Sequence, residues 1–406
     1  MIYRLEVENY KSIEKCDLSF KEMNVLIGKN GAGKTTLISI INMLKKLASG
    51  MNINDVVGEV APFGNEFFNV NTHDEHAKFT LEVQTPQNER FLYSFTVIFG
   101  KREPRNETAG LFYFDSESLH KLNHDDKELI FQRTTNTEST IKVGVPGGEE
   151  DIPLKVDPSV LVLSAYAQGD AKSVADTLSS YSVIWIDTVT GVNHYEIVSS
   201  NKPNLGTIDG VAVSLYLKDR RLFDEAIDAI KSIIPGFTPP DIAKIPSNFS
   251  SRSEKTKPDD EHQKIANYIV SWSDSNYSRN YGISRISLSG GNNRVIFLIL
   301  SLYNSEAKSC FVAEEIENGM HLSRIAELID RMRMIIKNRK IQLFFTTHNH
   351  KILDYLLPGE VIFAKLDKDG SKYTRLSETK EYADIEKDLG RAPSSTEVVE
   401  SGLLFS

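Results

Sequence analysis

The sequence has few cysteines and no long apolar segment. Its 406 residues include two cysteines, Cys16 and Cys310, which are far apart and have no metal-ligand neighbour at a familiar spacing. Two isolated thiols suit a reducing compartment. The longest apolar run, Val295 to Tyr303, is too short to cross a bilayer. The first residues, MIYRLEVENYKSIEK, carry charges inside their apolar stretch and do not predict a signal peptide. We therefore expect a cytoplasmic protein of bacterial type.

The chain also lacks a basic excess and a heptad repeat. Its formal net charge is -9 and its pI is about 5.6, which argues against a surface devoted as a whole to nucleic acid. A local basic groove remains compatible with these totals. The absence of a sustained heptad pattern predicts that there is no long coiled coil.

The first 47 residues predict three strands, a glycine-rich loop and a helix. Ile2 to Val7 alternates apolar and polar residues, which indicates a strand with one buried face, and residues 16–20 read as its partner. A short apolar run at 25–27 predicts the third strand. Residues 35–47 have apolar side chains at helical spacing.

The middle of the chain predicts a meandering antiparallel region. Residues 51–71 look irregular, and residues 235–258 are the most loop-like segment. Helices are expected over 160–176 and 223–234. Strand-like pieces occur at 78–83, 91–99, 111–114, 129–133 and 139–143, with turns predicted at NHDD and VPGGEED.

After Arg285 the pattern becomes loop, apolar helix, buried strand, amphipathic helix and buried strand. A hairpin with a turn at Asp369-Gly370 follows. Two apolar strands separated by a helix predict a parallel sheet, whose functional loops lie at the carboxyl ends of the strands.

The stretch GKNGAGKT at 28–35 matches the phosphate-loop pattern G-x-x-x-x-G-K-[ST] in full. Glycines let the backbone wrap closely around phosphates, so that successive N–H groups point inward. Lys34 is expected to reach the β- and γ-phosphates, and the Thr35 hydroxyl to bind Mg²⁺. The predicted strand before the loop and helix after it are the context that this motif requires.

Three later motifs add candidate residues. LSGG at 288–291 precedes an apolar helix, where free N–H groups and the helix dipole favour an anion. Glu314 and Glu315 end a buried strand, where one carboxylate can hold Mg²⁺ and the other can polarise the attacking water. His348 directly follows the next buried strand and is positioned to contact a γ-phosphate. Each motif alone is also compatible with an ordinary loop or a solvated turn.

Their order along the chain resembles the ABC-type ATPase head, in its RecF/SMC/OLD-like branch. GKNGAGKTTL is similar to the phosphate loop of that branch, EEIENGMH at 314–321 resembles its EEPExxLH form, and TTHN at 346–349 resembles its His switch. The resemblance implies an α/β P-loop NTPase of ABC-ATPase head type. It would have a mixed central sheet, an antiparallel β subdomain and an inserted helical subdomain.

The resemblance also implies roles for individual residues. Glu314 and Thr35 would bind the metal ion. Glu315 would be the catalytic base or water-orienting group. His348 would sense the γ-phosphate, and Lys34 would act with it in catalysis. The implied nucleotide-binding residues are Gly28, Asn30, Gly31, Ala32, Gly33, Lys34, Thr35 and Thr36, with Ser289, Gly290 and Gly291 capping the nucleotide held by a second subunit. ATP and Mg²⁺ are the implied cofactors, and a homodimer or higher homo-oligomer is the implied assembly.

Several residues depart from the family pattern. Asn292 stands where transporter signatures often have Gln, Ile316 where Pro is usual, and Glu314 where Asp is more common. The last departure leaves open which carboxylate does what. The glutamine of the Gln-loop also stays open among Gln84, Gln132 and Gln168.

The resemblance predicts four segments. Residues 1–50 and 285–406 would form the two parts of the ATPase head, 51–160 its antiparallel region, and 161–284 a helical and loop insertion. Partner specificity is expected in the inserted region as a whole, roughly residues 50–280. About 250 residues separate the phosphate loop from LSGG, unlike a transporter head, and the missing heptads argue against a long-armed chromosome ATPase. Only about 50 residues follow the His switch, too few for the nuclease domain of OLD-type enzymes.

The format resembles the stand-alone ATPase subunits of anti-phage systems such as PARIS, Septu and certain retrons. It implies an ATPase that governs a separately encoded nuclease or toxin, without a membrane partner. The alternative is a RecF-like repair or recombination ATPase that binds DNA. A candidate basic strip for that role consists of Lys255, Lys257, Lys264, Arg279 and Arg285, but acidic residues interrupt it.

Overall fold

The computed structural model divides the chain into two compact units. Unit 1 comprises Met1–Val183, Ala307–Val312 and Arg339–Ser406, and unit 2 comprises Ile184–Glu306 and Ala313–Asn338. The structure describes residues 1–61, 64, 66–69, 71–72, 74–100, 111–123, 126–134, 140–145, 148–153, 156–166, 168–184, 198–245, 266–272 and 290–401.

The described residues form strands and helices in the following order. The strands are β1 (Ile2–Tyr10), β2 (Ile13–Ser19), β3 (Met23–Ile27), β4 (His76–Gln84), β5 (Arg90–Gly100), β6 (Leu111–Asn123), β7 (Asp126–Thr134), β8 (Thr140–Val145), β9 (Gly148–Pro153), β10 (Ser182–Ile184), β11 (Val198–Ser199), β12 (Asp241–Ile245), β13 (Asn267–Ser271), β14 (Cys310–Ala313), β15 (Gln342–Thr347), β16 (Val361–Asp367) and β17 (Gly370–Arg375). The helices are α1 (Lys34–Ala48), α2 (Ile53–Val60), α3 (Val162–Ala165), α4 (Gly169–Ser179), α5 (Ile208–Lys218), α6 (Arg220–Ile233), α7 (Gly290–Asn304), α8 (Leu322–Arg339), α9 (Lys380–Leu389) and α10 (Ser395–Glu400).

Unit 1 contains an eight-stranded antiparallel sheet in the order β2-β1-β4-β5-β6-β7-β8-β9. Alternating burial gives one face to the core, where Val7 of β1 lies opposite Phe79 of β4 and both are fully buried. Tyr93 and Phe95 of β5 continue the same apolar face. This sheet confirms the antiparallel region expected from the alternating sequence pattern.

A second sheet of six strands has the order β10-β14-β15-β3-β16-β17. β3 lies between β15 and β16 and is parallel to both, which explains why all of its residues are buried. Thr347 of β15 and Phe363 of β16 both lie opposite Ile27, the last residue of β3. The carboxyl ends of the three strands therefore meet at one edge.

The Arg375 side chain, at the end of β17, is fully buried beside β3. Its guanidinium donates to the carbonyl oxygen of Gly359 at 2.7 Å, to that of Ser19 at 2.5 Å and to the Asn24 Oδ1 at 3.1 Å. Since a buried cation is costly without partners, these bonds fix the position of β17 against the sheet.

Glu117 joins the antiparallel sheet to the segment that begins α3. Its fully buried carboxylate accepts from the Tyr93 hydroxyl at 2.9 Å and from Arg133 Nη2 at 3.2 Å. It also accepts from the backbone N–H groups of Val162 and Leu163 at 2.7 and 2.8 Å. These four bonds replace the water that the carboxylate loses on burial.

Unit 2 is mainly helical. Its helices α5 and α6 pack against α7, and β11, β13 and β12 form a small antiparallel sheet. The buried Trp272 indole N–H donates to Asp209 Oδ1 at 2.8 Å, which ties the end of β13 to α5. Among the described helices, none combines the length and the apolar character needed to cross a membrane.

Several local predictions were wrong. The helix expected over 160–176 is interrupted between α3 and α4, where Gly169 has a φ of 49° that glycine adopts without strain. The loop-like segment 235–258 contains β12, which forms because it pairs with β13. The irregular stretch after α1 contains α2, whose first turn is capped by the Asn52 side chain accepting from the backbone N–H of Asn54.

Candidate nucleotide-binding site

The phosphate-loop sequence lies between β3 and α1, as its pattern requires. Gly31 and Gly33 have φ of 79° and 96°, in the left-handed region that favours glycine. Gly28 lies so close to β16 that a Cβ there would be 3.1 Å from the carbonyl carbon of Ala364. α1 begins at Lys34, so its first backbone N–H groups and the positive end of its dipole face the loop. This geometry suits an anion.

Lys34 places its charge within the loop. Its side chain is 6% exposed, and its ammonium group donates to the carbonyl oxygens of Gly28 at 2.7 Å and Lys29 at 2.9 Å. Asn30 and Thr35 are exposed at the same loop and at the first turn of α1. The predicted phosphate-binding lysine is thus held by the backbone that would surround the phosphates.

A cavity of about 170 Å³ adjoins the loop on the side of β16. It is lined by Lys29, Asn30 and Ala32 of the loop and by Phe363, Ala364, Lys365 and Leu366 of β16. Leu366 is 54% exposed, so the cavity opens to solvent along this strand.

His348 follows β15 at the edge where β3 enters the loop. The preceding residue, Thr347, is in register with Ile27, and the His348 side chain is exposed. The Thr347 hydroxyl accepts from the backbone N–H of Asn349 at 3.1 Å, and the Asn349 side chain caps the 3-10 helix His350–Tyr355. These bonds define the path of the backbone on both sides of the histidine.

Glu314 and Glu315 come directly after β14, the neighbour of β15, and belong to unit 2. Glu315 has a φ of 45°, an uncommon conformation for a residue with a side chain. Its carboxylate accepts from the Asn318 side-chain amide, and its carbonyl oxygen accepts from the Asn318 backbone N–H at 3.2 Å. The predicted base therefore sits in a tight turn that fixes its backbone.

The start of α7 packs against this turn within unit 2. A Cβ on Gly291 would be 2.6 Å from the carbonyl oxygen of Gly319, so glycine is required for this close approach. Arg294 donates to the carbonyl oxygen of Asn318 at 2.9 Å. Gly290, by contrast, has nothing within 4 Å of an added Cβ. Ser289, the remaining residue predicted to cap a nucleotide, lies outside the described residues.

Sequence reasoning missed the residues that hold the loop from the far end of the chain. Tyr373 of β17 donates from its hydroxyl to the carbonyl oxygen of Gly33 at 2.7 Å, across 340 positions of sequence. No local signal marks such a contact, because the spacing of SKYTR indicates only a strand. Of the three glutamines left open, Gln84 ends β4, Gln132 lies in β7 and Gln168 precedes α4.

Two family models match separate parts of the chain. The model described as "AAA ATPase domain" matches residues 1–146, and the model described as "AAA domain, putative AbiEii toxin, Type IV TA system" matches residues 202–354. No curated protein matches the sequence.

Several solved structures resemble the chain weakly. An SMC head bound to the C-winged helix domain of ScpA is 12% identical, with 92% of this chain and 96% of that chain covered and a TM-score of 0.45. The SMC head domain from Thermotoga maritima is 11% identical, with coverages of 92% and 98% and a TM-score of 0.43. An SMC head with an extended coiled coil, bound to the C-terminal domain of ScpA derived from Pyrococcus furiosus, is 10% identical, with coverages of 96% and 99% and a TM-score of 0.46. These TM-scores are too low to support an argument.

The phosphate loop between β3 and α1 and the two family matches support an ATPase that resembles AAA ATPase domains over residues 1–146 and 202–354. The expected fold class is confirmed: a P-loop ATPase with a mixed central sheet and an antiparallel sheet beside it.

Proposed function

We propose that this chain is an ATP-binding and ATP-hydrolysing head that dimerises around ATP and controls a separately encoded effector in bacterial anti-phage defence. The observation that carries the proposal is the buried ammonium of Lys34, held by loop carbonyls at 2.7 and 2.9 Å in front of the first turn of α1. A preformed cation beside the N–H groups at the start of a helix is the arrangement that binds a nucleoside triphosphate.

In this proposal the loop from Gly28 to Thr36 binds the β- and γ-phosphates. Thr35 and Glu314 would hold Mg²⁺, because a hydroxyl and a carboxylate are the hard oxygen donors that this ion accepts alongside water. The exposed Thr35 side chain at the first turn of α1 fits that role. When bound, the ion offsets the negative charge of the phosphates.

Glu315 is the proposed base, which accepts a proton from the attacking water while His348 contacts the γ-phosphate. The uncommon backbone conformation of Glu315 supports this role, because such conformations concentrate at functional sites. The Asn318 side-chain amide that donates to its carboxylate orients this group.

The lid over each nucleotide comes, in this proposal, from Ser289, Gly290 and Gly291 of a second copy of the chain. ATP binds the closed pair better than the open one and so shifts the population towards the dimer, which hydrolysis then releases. The helix dipole at the start of α7 favours an anion there. We expect slow turnover, with the closed dimer as the signalling form.

The role in defence is supported by the description of the second family model, which names a toxin of a toxin–antitoxin system. A RecF-like repair ATPase is the competing function, and the basic strip considered for it lies outside the described residues. The net charge of -9 does not favour DNA as a general partner.

A mass measurement in solution tests the ATP-dependent dimer. The Glu315→Gln variant should hold ATP without cleaving it and so elute as a dimer in light-scattering chromatography with ATP and Mg²⁺, whereas Lys34→Ala should stay monomeric. Glu327→Gln on α8, an exposed carboxylate, serves as the matched control. Normal hydrolysis by Glu315→Gln would remove this residue from the mechanism.

A second experiment separates defence from repair. Products of neighbouring genes are co-expressed with the tagged chain, and the hydrolysis rate is measured with and without duplex DNA. Co-purification of a nuclease or toxin, with a rate indifferent to DNA, is the expected result. A rate that rises with DNA, in the absence of any bound effector, would instead establish the repair function.

A further inference from the structure

The carbonyl oxygen of Gly33 accepts two hydrogen bonds at the point where the phosphate loop becomes helix. The backbone N–H of Leu37 donates to it at 3.1 Å, as in the first turn of any helix. The hydroxyl of Tyr373, from β17, donates to it at 2.7 Å. A carbonyl oxygen has two lone pairs, so both bonds are satisfied together.

Two serines place the same strand against the next turn of the loop. The Ser371 hydroxyl donates to the Ser12 hydroxyl at 2.8 Å, and the Ser12 hydroxyl lies 3.4 Å from that of Thr36. The backbone N–H of Ser371 also donates to the carbonyl oxygen of Ser12 at 2.6 Å. Ser12, Ser371 and Tyr373, the hydroxyl cluster, thus contact the loop at Gly33 and at Thr36.

The packing leaves the peptide at Gly33 little freedom. A Cβ on Gly33 would be 2.6 Å from the Tyr373 hydroxyl oxygen and 2.8 Å from the Ser371 Cβ. Burial raises the pKa of Tyr373 well above its ordinary value, so its hydroxyl keeps the proton that it donates.

The direction of one carbonyl sets the direction of the next N–H. In a planar trans peptide the C=O of Gly33 and the N–H of Lys34 point in opposite directions. Since Tyr373 holds the oxygen on the β17 side, the Lys34 N–H points away from β17. The loop has this orientation before any ligand arrives, and rigid donors bind an anion without the cost of being ordered.

We propose that Tyr373, supported by Ser371 and Ser12, is a positioning residue that holds the phosphate loop in its anion-binding form. This inference rests on the proposed ATP-binding function, and it concerns the loop itself rather than the base or the lid. Its expected signature is a loss of affinity for the phosphates, with the chemical step unchanged.

The Tyr373→Phe variant removes the donor and keeps the ring. Loss of one hydrogen bond is expected to weaken binding of ATP about five- to tenfold. Inorganic tripolyphosphate should weaken by the same factor, because the effect acts on the phosphates. The KM for ATP should rise, while kcat should stay within about twofold of its value in the unaltered protein. In the nucleotide-free protein, hydrogen exchange of a peptide spanning residues 28–36 should become faster.

Tyr3→Phe is the matched control. Its hydroxyl also makes one side-chain hydrogen bond in unit 1, to Gln84 Oε1 at 2.8 Å, but on another pair of strands. If Tyr373→Phe and Tyr3→Phe bind ATP and tripolyphosphate equally, Tyr373 has a purely structural role and the inference is overturned. If the natural chain itself binds neither ligand, the proposed function fails instead.

Ser12→Ala covers the case in which Tyr373→Phe does not fold. This change removes the hydroxyl that faces Thr36 from the turn between β1 and β2 and leaves β17 intact. A smaller loss of affinity for tripolyphosphate, about two- to fivefold, is expected. An unchanged affinity in a folded Ser12→Ala protein counts against the hydroxyl cluster as a positioning device.

Discussion

The ammonium of Lys34 lies 2.7 Å from the carbonyl oxygen of Gly28, so a hydrogen bond joins the first residue of the loop at 28–35 to its penultimate residue. We predict that Lys34→Met weakens ATP binding about 10- to 100-fold, because a charge-assisted bond to the phosphates is lost. Isothermal titration calorimetry measures this directly. Lys29→Met, which removes an exposed charge from the same loop, should change the affinity far less. Equal losses in both variants would mean that only the net positive charge matters.

The two left-handed glycines of the loop should respond differently to alanine. A Cβ added at Gly31 has no atom within 4 Å. Gly31→Ala should therefore lower the free energy of unfolding only through backbone strain, by about 1–2 kcal/mol. In Gly33→Ala the added Cβ also clashes with Ser371 and Tyr373, which should lower the free energy of unfolding by about another 1–3 kcal/mol. Urea unfolding gives both values. If the Gly33→Ala protein is as stable as the Gly31→Ala protein, β17 shifts to relieve the clash at little energetic cost.

The glycines at the start of α7 form a second matched pair, relevant to the lid. Gly291→Ala should displace the turn at Gly319 and lower the thermal midpoint, whereas Gly290→Ala has room for its Cβ and should not. If Gly290 closes over the nucleotide of a second copy, Gly290→Ala loses the ATP-dependent dimer while keeping its stability. Mass photometry of both variants in ATP separates these effects. An intact dimer in Gly290→Ala would place the lid elsewhere.

The buried pair Glu117 and Arg133 should behave as one unit. Glu117→Gln leaves the guanidinium without its counter-charge and is predicted to cost about 3–5 kcal/mol of the free energy of unfolding. The double change Glu117→Gln with Arg133→Met removes both charges and should cost less than the sum of the single changes Glu117→Gln and Arg133→Met. Chemical denaturation of all variants completes the cycle. Additive losses would indicate that the two side chains act independently.

Glu397 should make the cap of α10 sensitive to acid. Hydrogen bonds from Arg391 and from the Ser394 backbone lower the pKa of Glu397 from 4.5 to about 2. The folded state therefore favours the ionised form, and its stabilisation, present above pH 4.5, is lost as the pH falls towards about 2. Amide chemical shifts of residues 395–400 should follow this loss. The control Glu400→Gln should keep the transition, and Glu397→Gln should abolish it.

The sequence predicts best where one short segment determines its own structure. The phosphate loop follows from glycine and lysine at fixed spacing, and the antiparallel strands follow from alternating burial along β4 and β5. β9 was read as a turn because its residues GEEDIP are exposed almost throughout and show no alternation. The Tyr373–Gly33 bond was missed because its partners are 340 positions apart.

The candidate site was predictable in part for the same reason. Lys34 and His348 follow buried strands whose apolar character is plain, and register places their strand ends side by side at Ile27. The tight turn at Glu315 was not foreseen, since nothing in EEIENG specifies a left-handed glutamate. In this turn the Asn318 amide donates to the Glu315 carboxylate, and Gly291 of α7 closely approaches Gly319.

The place of β3 between β15 and β16 has a consequence for synthesis. β3 ends at Ile27, but both neighbouring strands and the buried Arg375 come from beyond residue 340. During synthesis the phosphate loop therefore emerges long before the two strands that flank β3. Pairing of β3 with β15 and β16 can begin only after the chain beyond residue 340 has been made.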